Sequence, residues 1–249
     1  MSNFDNIPIL YEDDDVLVLN KPAGISVHSN GRNEDEFTLA DWLIERYPDL
    51  KEVGESMISQ NGKEIIKPGI VHRLDKQTSG ALLVAKNQEA YFFLKEQFKE
   101  HLIKKIYRVL VSGVFKQEEG FETTIDLPIG RSKKDPRIRV ARLKSKGKLR
   151  EATTDYKILK KFEGFTYLEA YPKTGRTHQI RVHFKAISHP VVCDDLYAPN
   201  LPCLPGLTRQ ALHAFSLEFK LPKNNQTFKV EAPLPVDFSQ ALESLKIIC

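Results

Sequence analysis

At 249 residues, 41% of them hydrophobic and including 14 Phe and 8 Tyr, the chain can bury a substantial core and fits one large or two small globular domains. The N-terminal MSNFDNIPILYEDDD lacks the basic and apolar regions of a secretory leader, and no apolar run approaches the ~20 residues of a membrane span, which points to a soluble cytoplasmic protein. Cys193, Cys203 and Cys249 have neither a disulfide-framework spacing nor a zinc spacing and read as free thiols.

The net charge of +4 conceals opposed regions. Residues 1–60 hold 4 Lys/Arg against 13 Asp/Glu, whereas 131–150, RSKKDPRIRVARLKSKGKLR, hold 10 basic residues and 1 acid. Such a stretch fits a polyanion-binding face, and it also fits a solvated basic loop.

In chain order, Val16-Leu17-Val18-Leu19 predicts a buried strand ending at the turn Lys21-Pro22-Ala23-Gly24. A helix is expected over 38–47 with Thr38 as its N-cap and Pro48 at its end, followed by a polar, irregular excursion over 51–67. In GIVHRLDKQTSGALLVAK (69–86), apolar runs on either side of a charged turn predict strand, turn, strand. Asn87 is placed to cap a helix to about His101, with Tyr91, Leu94, Phe98 and Leu102 on one side. Alternation over 106–115 puts Tyr107, Val109 and Val111 on one strand face. Further strands are expected at 121–127, 152–160, 165–171, 210–220 and 226–231. A helix with Thr177 as its cap should carry His178, Arg181 and Phe184, and a last helix should span about 237–247. Strands outnumber helices and often follow one another directly, which predicts an α+β fold with a mixed, mostly antiparallel sheet flanked by helices and loops. With no repeat and no long linker, a single domain over 1–249 is the default.

Asp75 sits between Arg73, Lys76, Thr78 and Ser79, so its carboxylate should stay ionised. It reads either as an anion for glycosyl chemistry or as a cap of its own turn. Tyr107, among valines, can equally be a core aromatic. His178 and Arg181 are three residues apart on a helical face where a cation can meet a carboxylate or phosphate. His178 and His183, five apart, do not share a helical face, which argues against a metal site.

Together these stretches resemble the RluA-type family of RNA pseudouridine synthases. HRLDKQTSG (72–80) matches the family motif HRLDxxTSG at every fixed position. LYEDDDVLVLNKPAGISVH (10–28), KKIYRVLVSG (104–113), GKLREATTDYKIL (147–159), TGRTHQIRVHF (174–184), SHPVVCDDLY (188–197) and RQALHAFSLEF (209–219) follow the family's order. The resemblance implies the pseudouridine synthase catalytic fold, with an active-site cleft between two halves. It also implies a reaction in which uridine is detached from C1′, rotated and reattached through C5. Asp75 would be the catalytic carboxylate, attacking C1′ or the ring, or aiding glycal formation. Tyr107 would stack on the uracil and help remove the C5 proton, and Arg181 would pair with Asp75. Arg73 would fill the space of the flipped base. Lys133, Lys134, Arg137 and Arg139 would grip phosphates, with Arg176 and His178 as further RNA contacts and His213 in support. No metal and no organic cofactor is implied. The partner would be a stem-loop of ribosomal or transfer RNA, with no membrane, no obligatory protein partner and a monomeric state. A non-catalytic RNA-binding protein or RNA chaperone on the same fold is the alternative. Two departures stand out. The catalytic pattern starts by residue 10, leaving no room for the S4-type domain of several relatives, and Ser188 and Cys193 stand where the family commonly has glycine.

Overall fold

Two antiparallel strands open the chain in the computed structural model, which describes residues 6–29, 36–58, 62, 64–142 and 148–246. In the turn between β1 (Ile9–Glu12) and β2 (Val16–Lys21), Asp13 Oδ1 accepts from the Asp15 and Val16 amides. Helix α1 (Leu39–Arg46) begins as expected at Thr38. Its hydroxyl oxygen accepts from the Asp41 amide, while the Asp41 carboxylate accepts from the Thr38 amide at 2.8 Å, a reciprocal capping box. The excursion expected to be irregular instead holds a short 3₁₀ turn (Pro48–Glu52) and a small hairpin of β3 (Met57–Ile58) and β4 (Glu64–Ile65).

Every residue of β5 (Ser79–Ala85) is buried, as its unbroken apolar run requires. The run before it, 69–71, is not a strand. Only an isolated bridge, Ile70 to Val84, joins it to β5. Helix α2 (Gln88–Lys99) is capped by Asn87, whose Oδ1 accepts from the Ala90 amide. It ends before His101 because that residue is left-handed (φ 58°) and the Leu102 amide turns back to the Gln97 carbonyl. Leu102, expected on the apolar side, is therefore exposed.

The remaining elements are β6 (Lys104–Ser112), β7 (Glu122–Asp126), β8 (Ile129–Arg131), β9 (Arg139–Ala141), β10 (Thr153–Phe162), β11 (Phe165–Pro172), α3 (Gln179–Ala186), β12 (Leu212–Lys220), β13 (Thr227–Glu231) and α4 (Val236–Lys246). Two compact units result. Met1–Lys104 with Ser216–Pro233 holds the strand order β1-β2-β5-β12, with β13 on β12; Lys105–Phe215 with Leu234–Cys249 holds β12-β6-β11-β10-β7. β12 thus contributes residues to each. The first core gathers Val16, Val18, Leu83, Leu94, Leu217 and Phe219; the second gathers Val109, Val111, Ile158, Leu168, Phe184 and Phe238. The fold is α+β with long antiparallel ladders, as expected. No helix among the described residues is long and apolar enough to cross a membrane.

Two expectations need correction. Cys193 and Cys203 are not free thiols: they form a disulfide across ten residues of chain, within the connection between α3 and β12. Thr177 does not cap α3. That position falls to His178, whose backbone is left-handed at φ 57°.

Candidate active site

In the first unit, the Asp75 loop is pinned from several sides. The Ala85 amide donates to the Gly69 carbonyl at 2.9 Å, and the Leu83 amide donates to His72 Nε2 at 2.8 Å. The His72 ring stacks on Phe98 with centroids 4.6 Å apart. A Cβ on Gly69, at φ 59°, would lie 2.0 Å from the Ala85 carbonyl oxygen, so only glycine lets the segment approach β5. Beyond it, Leu74 is buried, Arg73 exposed and Asp75 half-buried. The Asp75 carbonyl accepts from the Thr78 amide at 3.0 Å and closes the turn.

Lys21 locks that turn in place. Its side chain is fully buried, and its ammonium donates to the carbonyls of Pro22 (2.9 Å), Ile25 (3.0 Å) and Lys76 (3.1 Å), while the Gly24 amide also reaches the Lys76 carbonyl (2.9 Å). The Lys-Pro-Ala-Gly turn therefore holds the residue next to Asp75. Near Arg73 the unit is electropositive. Burial pushes the His28 imidazole below its usual range, with Arg73 and Lys67 adding to the shift; burial and Arg73 lower Lys67 likewise.

In the second unit, α3 covers one face of the sheet. Gln179 Nε2 donates to Thr154 Oγ1 at 3.0 Å, His183 Nδ1 lies 2.9 Å from the same hydroxyl, and the Tyr156 ring meets Phe184 edge-on at 5.4 Å. Thr154 pairs with Pro172, Tyr156 with Ala170, and Ala170 with Tyr107. Cross-strand partners share a face, so half-buried Tyr107 projects on the side that α3 covers. Burial lowers the His183 pKa, and its Nε2–H donates to the Leu127 carbonyl at 2.9 Å.

Arg181, buried on α3, forms a fork with buried Asp194: Nε to Oδ2 at 2.6 Å and Nη2 to Oδ1 at 2.8 Å. Asp194 Oδ1 also accepts from the Leu196 and Tyr197 amides (3.1 and 3.0 Å). The Arg181 guanidinium lies 5.0 Å from the centre of the Tyr197 ring. The Tyr197 hydroxyl accepts from the Arg139 amide at 2.9 Å and meets His178 Nδ1 at 2.9 Å. Tyr197 therefore ties together Arg181, His178 and the Arg139 backbone of β9. Asp194, Tyr197 and Lys21 had no role assigned from the sequence; the only signal was that each stood inside a quoted motif segment.

The basic stretch contains a hairpin. β8 and β9 pair with Arg131 opposite Arg139, and their connection presents exposed Lys133 and Lys134. Arg137 is engaged by Asp135 (Nη2 to Oδ2, 2.7 Å), which holds that carboxyl below its usual range. Arg139 Nη1 donates to the Pro136 carbonyl at 2.8 Å, and Arg176 Nε donates to the Glu151 carbonyl at 2.9 Å. Residues 143–147 of the stretch, with Lys144 and Lys146, lie outside the described residues. Among the described residues no group of three His, Cys, Asp or Glu could hold a metal ion. Asp75 and Arg73 thus belong to the first unit, and Tyr107, Arg181, His178, Arg176 and the basic hairpin to the second.

A family model described as RNA pseudouridylate synthase matches residues 15–186, a span containing Asp75, Tyr107 and Arg181. The uncharacterized RNA pseudouridine synthase YlyB of Bacillus subtilis is 39% identical over 241 residues, covering 97% of this chain and 73% of that protein. Ribosomal large subunit pseudouridine synthase D of Neisseria meningitidis serogroup B is 38% identical over 252 residues, covering 97% of this chain and 62% of that protein. The solved structure of human RNA Pseudouridylate Synthase Domain Containing 1 superposes with a TM-score of 0.68 at 27% identity, over 99% of this chain and 97% of that one. The human Domain Containing 4 protein shares the fold, with a TM-score of 0.71 at 23% identity over 96% of this chain and 92% of that one.

Proposed function

This chain belongs to the RNA pseudouridylate synthase family and is an isomerase of uridine in RNA, and from that premise we propose that Asp75, Tyr107 and Arg181 carry the reaction. The C1′–N1 bond breaks, the uracil turns, C5 bonds to C1′, the C5 proton leaves and N1 gains one. The Asp75 carboxylate supports the electron-poor C1′ during cleavage, as a carboxylate does at other anomeric centres. Tyr107 stacks on the uracil and assists removal of the C5 proton. Arg181 serves as the cation for the catalytic carboxylate. Arg73, exposed beside Asp75, takes the place of the flipped base, an extrusion that costs least in a loop. Lys133 and Lys134 grip phosphates, with Arg137, Arg139, Arg176 and His178 as neighbouring contacts. The observation that carries this reading is the family match across 15–186, with all three residues inside it.

The names of several relatives support large-subunit ribosomal RNA as the substrate, and hence action in the cytoplasm. Tritium release from 5-³H-uridine RNA tests the chemistry. Wild type should release tritium and Asp75→Asn should not; activity surviving the substitution would refute the role of Asp75. Pseudouridine mapping of large-subunit RNA from cells with and without the protein tests the substrate, and an unchanged map would exclude it.

A further inference from the structure

Strand β6 sets a row of side chains on the face that α3 covers: Lys105, Tyr107, Val109 and Val111, by the alternation of a strand. Burial deepens along the row. Val109 and Val111 are fully buried, while Tyr107 and then Lys105 are half-buried toward the end where the strand begins. Neighbouring cations of β6 have carboxylate partners, Lys104 with Glu218 (2.7 Å) and Arg108 with Glu169 (2.8 Å). Lys105 has none among the described residues. Burial alone acts on it, pulling its ammonium down to about 8. Such a group costs stability in its charged form and gains most from an anion brought to it.

We propose that Lys105 is an RNA-binding residue that takes the backbone phosphate beside the uridine held at Tyr107. The proposal rests on the reading that Tyr107 stacks on the target base. Two strand residues advance about 7 Å, so Lys105 leaves the strand that far from Tyr107, toward the strand's exposed end at Lys104, within reach of a phosphate adjoining a base stacked on Tyr107. A lysine suits this task, because it binds phosphate as a point charge and needs no planar partner.

The test measures binding of a fluorescent uridine-containing stem-loop RNA across a KCl series for wild type, Lys105→Met and Lys105→Arg, with thermal melts confirming folding. Methionine keeps the apolar stem, so lost packing is separated from lost charge. Lys105→Met should bind more weakly, with the slope of log K against log [salt] reduced by about 0.7–0.9, the release of about one counterion; Lys105→Arg should restore it. A second RNA, with a neutral methylphosphonate beside the uridine, should abolish the difference between wild type and Lys105→Met. Equal slopes for those two proteins overturn the proposal, as does a slope difference that persists on the methylphosphonate RNA, which would move the contact to another phosphate. Binding needs no turnover. An inactive Tyr107→Leu variant with an intact Lys105 effect would support both assignments, whereas full activity in that variant would remove Tyr107 from the reaction and leave the Lys105 measurement standing.

Discussion

Lysine is among the residues least often fully buried, yet Lys21 is enclosed and spends its three donors on three carbonyls, one of them next to Asp75. That is a mechanical task, holding a loop, and nothing in a Lys-Pro-Ala-Gly turn read by composition reveals it. Asp194 does similar work for Arg181. The sequence placed Arg181 on a helix with His178 in reach, but its carboxylate partner lies thirteen residues on, beyond any local spacing rule. Removing one partner of a buried ion pair leaves an unpaired charge and costs roughly 3–5 kcal/mol. Asp194→Asn keeps the shape and accepting oxygen while losing the charge, so it should fold with a lowered Tm and let the guanidinium drift. With misplacements near 1 Å costing ~10²-fold, kcat should fall about that far while KM stays within a few-fold. A kcat equal to wild type in tritium release would show that Asp194 serves stability alone.

At the scale of elements, caps and continuous apolar runs were the most legible features: Thr38, Asn87 and β5 stand where local chemistry put them. Where tertiary contact decides, local pattern failed. The run 69–71 has strand composition but only one bridge, since Gly69 brings the backbone against Ala85 and the chain then departs. The β8–β9 hairpin was hidden because its dense basic residues fit a polyanion-binding face or a solvated loop and give no strand pattern. The two family glycines missing from this chain prove to be conformational. Ser188 (φ 65°) and Cys193 (φ 56°) are both left-handed, so each side chain stands in a backbone conformation that glycine adopts freely. Ser188 is the residue just past the C-cap of α3: its amide reaches the Lys185 carbonyl at 3.1 Å and the next amide reaches Phe184 at 2.9 Å, the hydrogen-bond pair of a Schellman motif. The left-handed penalty of about 1–2 kcal/mol outweighs the extra chain entropy of glycine, about 0.5–1 kcal/mol. Ser188→Gly should therefore raise stability by about 0.5–1 kcal/mol, read as a higher urea midpoint with an unchanged m-value. A lower midpoint would mean that the serine side chain contributes something its backbone does not show.

Across the whole molecule, charge is segregated. The first sixty residues are acidic, with 4 Lys/Arg against 13 Asp/Glu, whereas 131–150 are densely basic, with 10 Lys/Arg against 1 Asp. The structure refines which of those charges can meet RNA. Arg137 already shares its guanidinium with Asp135, and Arg139 with its own loop, whereas Lys133 and Lys134 are exposed. Counterion release depends on charges that newly approach phosphate, so the four residues should not behave alike. Lys133→Gln with Lys134→Gln should flatten the slope of log K against log [salt] by about 1.5, while Arg137→Gln should change it far less, because Asp135 has neutralised that charge beforehand. Arg73→Ala belongs to another class: it should lower the rate of isomerisation with only a modest change in affinity, since the role proposed for it begins when the base leaves the stack. Salt titrations of RNA binding, run beside single-turnover rates on the same RNA, separate the two classes. A double lysine variant with the wild-type slope would remove the hairpin from the RNA-binding face. An Arg73→Ala variant that loses affinity and rate in equal proportion would make Arg73 one more phosphate contact.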